Sequence, residues 1–423
     1  MTAETLFAEP ARFKVSRPAT SELTRRFFFL VDAVARDHEP TATQLDRLAS
    51  SYESTAQFLA NRDEFEGLLL KIHPHGSRQL GTMVRPSRST HDGFDVDLIA
   101  LLSADARRRY MSSGGPSLLL NDFYRALKDY ADSHSLSIRR WERCVTLGYT
   151  DGMCADITPV IDDPLLSAPY GQTHALIPDR ELMRYDSTNP LGYAKHFNRA
   201  AAISPAFRGQ RVMAKAMDSA ERAEVVPLAE ADEVFNRLLC RFVQLLKLHR
   251  NSRFSASDGL KELAPTSVFV TTLAAMAYTQ LAPLEHDSPL DLLLDMVKIM
   301  PSLFVRTRSM NGADEWNLPN PSAPRENLAS SMNRTGRHEA FDGWITVLTR
   351  DLEKLLEAVE QNLGNDVLVG IIDTAFGTRS ANALKAELSK MRDSNRTAGR
   401  VSIVTAAASS RVIPARAHSF YGD

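Results

Sequence analysis

Apolar side chains recur along the chain in two rhythms, and the switches between them divide it. Residues 21–37 and 41–61 carry the three-to-four-residue spacing of helices, with Leu45, Leu48, Tyr52 and Phe58 on one face of the second. That second helix is long enough to brace two lobes. Between residues 68 and 161 the rhythm changes to short apolar or alternating runs bounded by turn residues. Segments 68–73, 94–102, 136–144 and 155–161 read as strands, with a helix at 118–133 among them. From about residue 191 helical spacing returns, at 233–250, 266–280, 290–305, 338–362 and 381–392. The pattern predicts an α+β protein: an N-terminal segment and helix (1–40), a lobe of mixed sheet and helices with its bracing helix (41–190), and a helical lobe (191–394). The tail (395–423), made of small residues and scattered arginines, is expected to be extended or mobile. No repeat of fixed period is present, which removes solenoids and propellers.

Composition narrows the function classes. A chain of 423 residues with 43% hydrophobic and 24% charged residues has ample material for a core and no bias toward disorder. Lys plus Arg (50) and Asp plus Glu (52) nearly cancel to a net charge of −2, so no global field draws the chain to nucleic acid or anionic membrane. Three scattered cysteines, Cys144, Cys154 and Cys240, make neither a disulfide framework nor a four-ligand zinc site. Charged residues interrupt the N-terminal stretch, and no run of 18 apolar residues follows, so a soluble cytoplasmic protein is expected, with no membrane partner.

Chemistry concentrates in the strand region. Gly76-Ser77 is followed by Asp95-Val96-Asp97 and then by Asp156. Because strand side chains alternate faces, Asp95 and Asp97 point one way while Phe94, Val96 and Leu98 point the other. Asp156 likewise shares a face with Cys154 and Thr158, opposite Ala155 and Ile157. Three clustered carboxylates repel one another unless cations sit among them, and oxygen-only ligands favour Mg²⁺ or Mn²⁺. Two such ions, roughly 3.5–4 Å apart, suit an in-line displacement at phosphorus. Gly76 lets backbone approach a phosphate closely, Ser77 offers a hydroxyl and an amide, and Gly81-Thr82 extends the turn. On 233–250, Phe235, Leu238, Leu239, Phe242 and Leu246 form a core stripe with Lys247 at its edge, facing a cleft or snorkelling past apolar neighbours. Thr266 or Ser267 suits the cap of the helix that follows. Glu142, His73, His75 and His174 lack partners at telling spacings and read as structural. The short runs Arg107 to Arg109 and Arg139-Arg140 read as solvated faces.

The motifs His75-Gly76-Ser77-Arg78-Gln79-Leu80-Gly81-Thr82, Gly93-Phe94-Asp95-Val96-Asp97-Leu98 and Ala155-Asp156-Ile157-Thr158-Pro159 resemble the cGAS/DncV-like nucleotidyltransferases (CD-NTases) of bacterial CBASS antiphage systems. The likeness continues through Asn189-Pro190-Leu191-Gly192-Tyr193-Ala194, Gln244 to Arg250, Pro265-Thr266-Ser267, and the segment from Asn320-Pro321 to Glu326-Asn327, covering about residues 41–392. It implies a polymerase-β-like nucleotidyltransferase lobe joined to a helical lobe, with nucleoside triphosphates, ATP among them, between the two. It implies Asp95, Asp97 and Asp156 as catalytic metal ligands for two Mg²⁺ ions, with Mn²⁺ a substitute, and Gly76, Ser77, Lys247 and Ser267 as nucleotide-binding residues. The implied product is a cyclic or short oligonucleotide second messenger read by a CBASS effector. The ending Ser419 to Asp423 is a candidate handle for a C-terminal conjugation partner, although such handles end in Gly where this chain ends in Asp423. No Cys/His zinc insertion is present, so zinc-dependent DNA sensing is not expected.

Two other functions fit the same residues. An RNA-tailing enzyme of the poly(A) or CCA-adding type would need a basic face for a long polyanion, which the charge balance does not supply. A non-catalytic binding or antitoxin module would be marked by a lost carboxylate, and all three are present.

Overall fold

Helix α1 (Ala42–Ala60) begins at a capping box in which Thr41 accepts from the Gln44 amide while the Gln44 side chain accepts from the Thr41 amide, and Asn61 closes it, matching the predicted 41–61. The structure, a computed structural model, describes residues 30, 33–85, 94–149, 152–166, 173–207, 238–308, 314–361, 363–397, 400–404 and 410–414. Of the predicted helix 21–37, residues 30 and 33–37 are described and helical, and the others lie outside the described residues. The side chains of Leu45 and Leu48 lie outside them too; Tyr52 and Phe58 pack on the sheet lobe's core as expected.

Seven strands form the central sheet: β1 (Leu69–Pro74), β2 (Asp95–Leu102), β3 (Ser137–Arg140), β4 (Val145–Gly148), β5 (Cys154–Asp162), β6 (Ala175–Asp179) and β7 (Arg184–Thr188). Their order is β1-β2-β5-β4-β3, with β6 pairing the far end of β5 and then β7. Only β2 and β5 run parallel within it; every other pairing is antiparallel. The short helix α2 (Gly76–Leu80) joins β1 to the segment before β2. The predicted strand 136–144 is corrected to β3 plus a turn, because the Trp141 amide bonds back to the Cys144 carbonyl and sends the chain into β4. β6 and β7 escaped the periodicity reading because they are half-polar and short.

Helix α3 (Gly115–His134) lies on the face bearing Val96, Leu98, Ala155 and Ile157, and Leu119, Phe123, Ala126 and Leu127 close that core with Leu59 and Phe65. Phe65 and Phe123 meet at 4.4 Å between ring centroids. Transferring such side chains from water is worth about 2 kcal/mol each, which is why this face cannot carry the carboxylates. They emerge on the other face, toward the helical half.

That half contains α4 (Pro190–Ala201), α5 (Leu238–Phe254), α6 (Ser267–Leu281), α7 (Pro289–Ile299), α8 (Arg337–Glu360), α9 (Asn365–Phe376) and α10 (Thr378–Thr397). A parallel pair, β8 (Ala206–Phe207) with β9 (Glu285–His286), and two small antiparallel pairs, β10 (Val305–Arg308) with β11 (Asp314–Asn317) and β12 (Pro319–Asn320) with β13 (Ala323–Asn327), complete it. The predicted helix 290–305 stops at Ile299, because Pro301 cannot donate to a continuing helix and a 3-10 turn leads into β10. α5 runs through the centre, buried on all sides from Leu238 to His249 except at Cys240. It is therefore not the amphipathic helix the stripe suggested, and Phe235 lies outside the described residues.

The described residues before α1 contact the helical half. Leu30, Ala33 and Val34 belong to the helical half's core, and Asp37 and His38 bond to Arg379 and Ser380 at the start of α10. In the tail, expected to be extended or mobile, α10 continues to Thr397, and the extended strands β14 (Arg400–Val404) and β15 (Ser410–Pro414) pair antiparallel. Residues 415–423, including the candidate handle, lie outside the described residues. Among the described residues no helix is long and apolar enough to cross a membrane.

Candidate active site

The parallel register of β2 and β5 places Asp97 directly beside Asp156 and Asp95 beside Cys154. The alternation read from the sequence holds: Val96, Leu98, Ala155 and Ile157 are buried, while Asp95, Asp97 and Asp156 stand partly open on the other face. From β4, Thr146 lies opposite Asp156 in register and donates its hydroxyl hydrogen to it, and Trp141 Nε1 donates to the Thr146 oxygen at 2.8 Å. This relay orients the third carboxylate. Periodicity alone could not have shown it, because it depends on which strand lies next to β5.

Burial and, next, the charge of Asp156 raise the proton affinity of Asp95 and Asp97, with Asp97 reaching about 6. Asp97 feels Asp95 as well, and the Lys247 charge only partly offsets these effects. Such a group is stabilised by a cation, and its all-oxygen donors suit a hard divalent ion. Among the described residues, no three His, Cys, Asp or Glu side chains converge as a ready-made cation cage. Two of the three carboxylates lean elsewhere: Asp156 on Thr146, and Asp97 against the turn at Gly76. Donor chemistry and strand register therefore fit divalent ions, whose binding has to draw the three groups together.

Gly76 is fixed by two constraints. Its φ is +57°, and an added Cβ would collide with the Asp97 carboxylate. The His75 amide donates to the Asp97 carbonyl at 2.8 Å, so the turn is anchored to the strand that carries the acids. Ser77 follows in the first turn of α2, and Gly81, at φ +67°, ends it. Thr82 does not continue a phosphate loop: its amide donates to the Ser77 carbonyl at 2.9 Å, and its carbonyl and hydroxyl face Lys247.

Helix α5 is stitched to this turn along one face. Cys240 Sγ donates to the Leu80 carbonyl at 3.4 Å, Gln244 Nε2 to the Met83 carbonyl at 3.1 Å, and Lys247 Nζ to the Thr82 carbonyl and hydroxyl at 3.0 Å each. Lys247 is thus not at the rim of a stripe but 3% exposed within the seam. Burial, then the neighbouring Arg250 charge, push its ammonium down to about 7 against the pull of Asp97. Arg250, one helical turn on, donates to Ser267 Oγ and the Pro265 carbonyl at 3.0 Å each. Ser267 therefore sits at the start of α6 but does not cap it. Thr266, at the cap position, makes no side-chain capping bond either.

A cleft of about 510 Å³ joins these groups: His75, Gly76, Ser77, Asp95, Asp97, Lys247, Arg250 and Ser267 line it, together with Asn189, Tyr193, Asn320 and Glu326. The sequence-derived candidates therefore converge, with Asp156 alongside through its register with Asp97. His75, read as structural, also lines the cleft, and burial pushes its imidazole down to about 4, so it is neutral there. Arg250, Tyr193 and Glu326 were not singled out, although each lies in a motif that carried the resemblance. The arginine runs stay outside: Arg107, Arg108 and Arg109 pair with Asp163, Asp105 and Asp122, and Arg139 stacks on Trp141. A second cavity of about 460 Å³, lined by Asp46, Arg47, Val96 and Leu98, lies on the packing face of β2, away from the acids.

Residues 31–200 match the family model of the Second Messenger Oligonucleotide or Dinucleotide Synthetase domain. The chain is 25% identical over 392 residues to a c-di-GMP synthase of Roseivirga ehrenbergii, covering 92% of this chain and 96% of that one. It is 26% identical over 233 residues to the cyclic dinucleotide synthase CdnG of Bradyrhizobium diazoefficiens, 53% of this chain and 52% of that protein. The structure of that CD-NTase in complex with GTP shares the fold, with a TM-score of 0.60 at 20% identity over 85% of this chain and 97% of that chain.

Proposed function

We propose that the chain is a CD-NTase nucleotidyltransferase whose cleft joins nucleoside triphosphates, GTP among them, into a cyclic dinucleotide. The observation that carries the chemistry is the side-by-side register of Asp97 and Asp156, with Asp95 two residues away on the same face and Gly76-Ser77 against Asp97. GTP is supported by the c-di-GMP synthase to which the chain is similar over 92% of its length and by the GTP bound in the CdnG structure.

Asp95, Asp97 and Asp156 would hold two Mg²⁺ ions, with Mn²⁺ as substitute; when bound, such ions ease deprotonation of the attacking hydroxyl and neutralise the leaving pyrophosphate. Gly76 and Ser77 take phosphate oxygens through backbone and hydroxyl, in a turn the His75–Asp97 bond keeps in step with the acids. Lys247 and Arg250 supply positive charge from the helical side, and Ser267, held by Arg250, adds a hydroxyl. A net charge of −2 suits free nucleotides better than an RNA acceptor. Three free thiols agree with a reducing, cytoplasmic setting. In this reading the product is the message, taken up by a CBASS effector, and the ending Ser419 to Asp423 would be the handle for a conjugating partner.

The test is to incubate the purified chain with labelled GTP and ATP plus Mg²⁺ or Mn²⁺, without primer, and to identify products by nuclease digestion and mass spectrometry. A short, phosphatase-resistant cyclic product is expected. Strict dependence on added RNA, with a ladder of extended primers, would replace this reading by a tailing activity.

A further inference from the structure

Glu326, on β13, is an acidic side chain lining the same cleft as Asp95 and Asp97, where the substrate is a polyanion. A carboxylate gains nothing beside a triphosphate, so its useful partner is a hydrogen-bond donor elsewhere on the nucleotide. It is also held in place. Asn320 Nδ2 donates to Glu326 Oε2 at 2.8 Å, and Asn320 Oδ1 accepts from the Ser322 amide at 2.9 Å and the Ser322 hydroxyl at 2.8 Å. Ser322 in turn accepts through its carbonyl from Asn189 Nδ2 at 3.0 Å, and Asn189 caps α4 by accepting from the Gly192 amide. Asn189, Asn320 and Ser322 are buried, and an added Cβ at Gly192 would strike the Asn189 side chain. The chain of bonds leaves Oε1 of Glu326 with no hydrogen-bond partner among the described residues. A pre-set acceptor of this kind selects by what it leaves unpaired when the wrong partner enters.

Guanine presents two adjacent donors, N1–H and the 2-amino group, on one edge, which a carboxylate accepts together; adenine offers a lone pair at N1 instead. We propose that Glu326 selects guanine, its carboxylate accepting from N1–H and the 2-amino group of a GTP bound in the cleft. The inference rests on the reading that GTP is a substrate. It goes further in naming the residue that makes the choice, with Asn320 as its positioning partner. Burial raises the proton affinity of Glu326, with Asn320 and the Arg143 charge acting against that; two guanine donors would lower it again by favouring the anion.

The test measures kcat/KM of the full chain for GTP, for ITP, which lacks the 2-amino group, for N1-methyl-GTP and for ATP, in the unmutated protein and in Glu326→Gln. The unmutated chain is expected to favour GTP over ITP and N1-methyl-GTP by ~10-fold or more each, and Glu326→Gln to lose ~10–100-fold on GTP alone, leaving ATP unchanged or improved. Equal losses on all four nucleotides would show a structural role and overturn the inference, as would equal use of GTP and ITP by the unmutated chain. If Glu326→Gln does not fold, Asn320→Ala takes its place, with a loss on GTP that ATP does not share expected and equal losses on all four nucleotides overturning the inference. Consumption of other triphosphates with no use of GTP would remove the substrate reading and the inference with it.

Discussion

Each carboxylate on β2 and β5 sits where its strand neighbours face the core, so its position is fixed while its own packing contribution is small. Asp95→Ala, Asp97→Ala and Asp156→Ala are therefore expected to fold normally and to lose ~10³-fold or more in product formation; near-normal turnover at saturating Mg²⁺ by any one of them would detach that residue from the site. A second expectation concerns His38, 6% exposed and bonded to Ser380 at 3.0 Å. Burial first, then the Arg379 charge, hold its pKa near 4 instead of 6.5, with Asp37 pulling weakly the other way. Its neutral form is the one the fold accepts. The stability it contributes is complete above pH 6.5 and is lost as pH falls toward 4, when the unfolded chain takes up a proton that the fold refuses. Between pH 7 and pH 5 this amounts to about 2 kcal/mol. His38→Gln should flatten that part of the acid limb in denaturant titrations; an unchanged slope would place the acid sensitivity elsewhere.

At the scale of elements, α5 and the turn before β2 act as one piece, because three side chains at helical spacing hold three successive carbonyl regions of residues 80–83. Ser77→Ala and Lys247→Ala are expected to raise KM ~10-fold with little change in kcat, since in the proposed reading both would grip phosphate before and during the reaction. A fall in kcat at constant KM would instead put either group at the reacting phosphorus. The same element shows how far sequence reading reaches. Asp95, Asp97 and Asp156 were legible because a two-residue period is local and needs no knowledge of neighbouring strands. α1 was legible from the helical spacing of its apolar residues. Lys247 was found but misplaced, since a stripe of apolar residues cannot reveal that a helix is enclosed on all sides. Thr146, Arg250 and Glu326 stayed hidden because their partners lie on elements distant in sequence, and no local pattern records a register between β4 and β5 or a link from Asn320 to Asn189.

For the whole molecule, the two halves are joined at the α5 seam and at the Asn189–Ser322 bonds, while residues 37–38 fasten to α10 within the helical half. None of these joints uses the hairpin of β14 and β15, whose strands pair with each other. A chain cut after Thr397 is expected to fold and to keep synthesis within about 2-fold, since none of these joints lies beyond that point. Loss of folding would assign the hairpin to the core after all.

The register of Asp97 beside Asp156 has a consequence for how such a protein can diverge. Adjacent strands lie about 4.8 Å apart whatever side chains they carry. The spacing of the acids is thus written in backbone hydrogen bonds, like marks on a ruler, and not in the residues around them. The excursion from Leu102 to Cys154 can change in length and composition without moving the marks, and so can the distant hairpin that holds Glu326. Chemistry and choice of base are then free to drift separately.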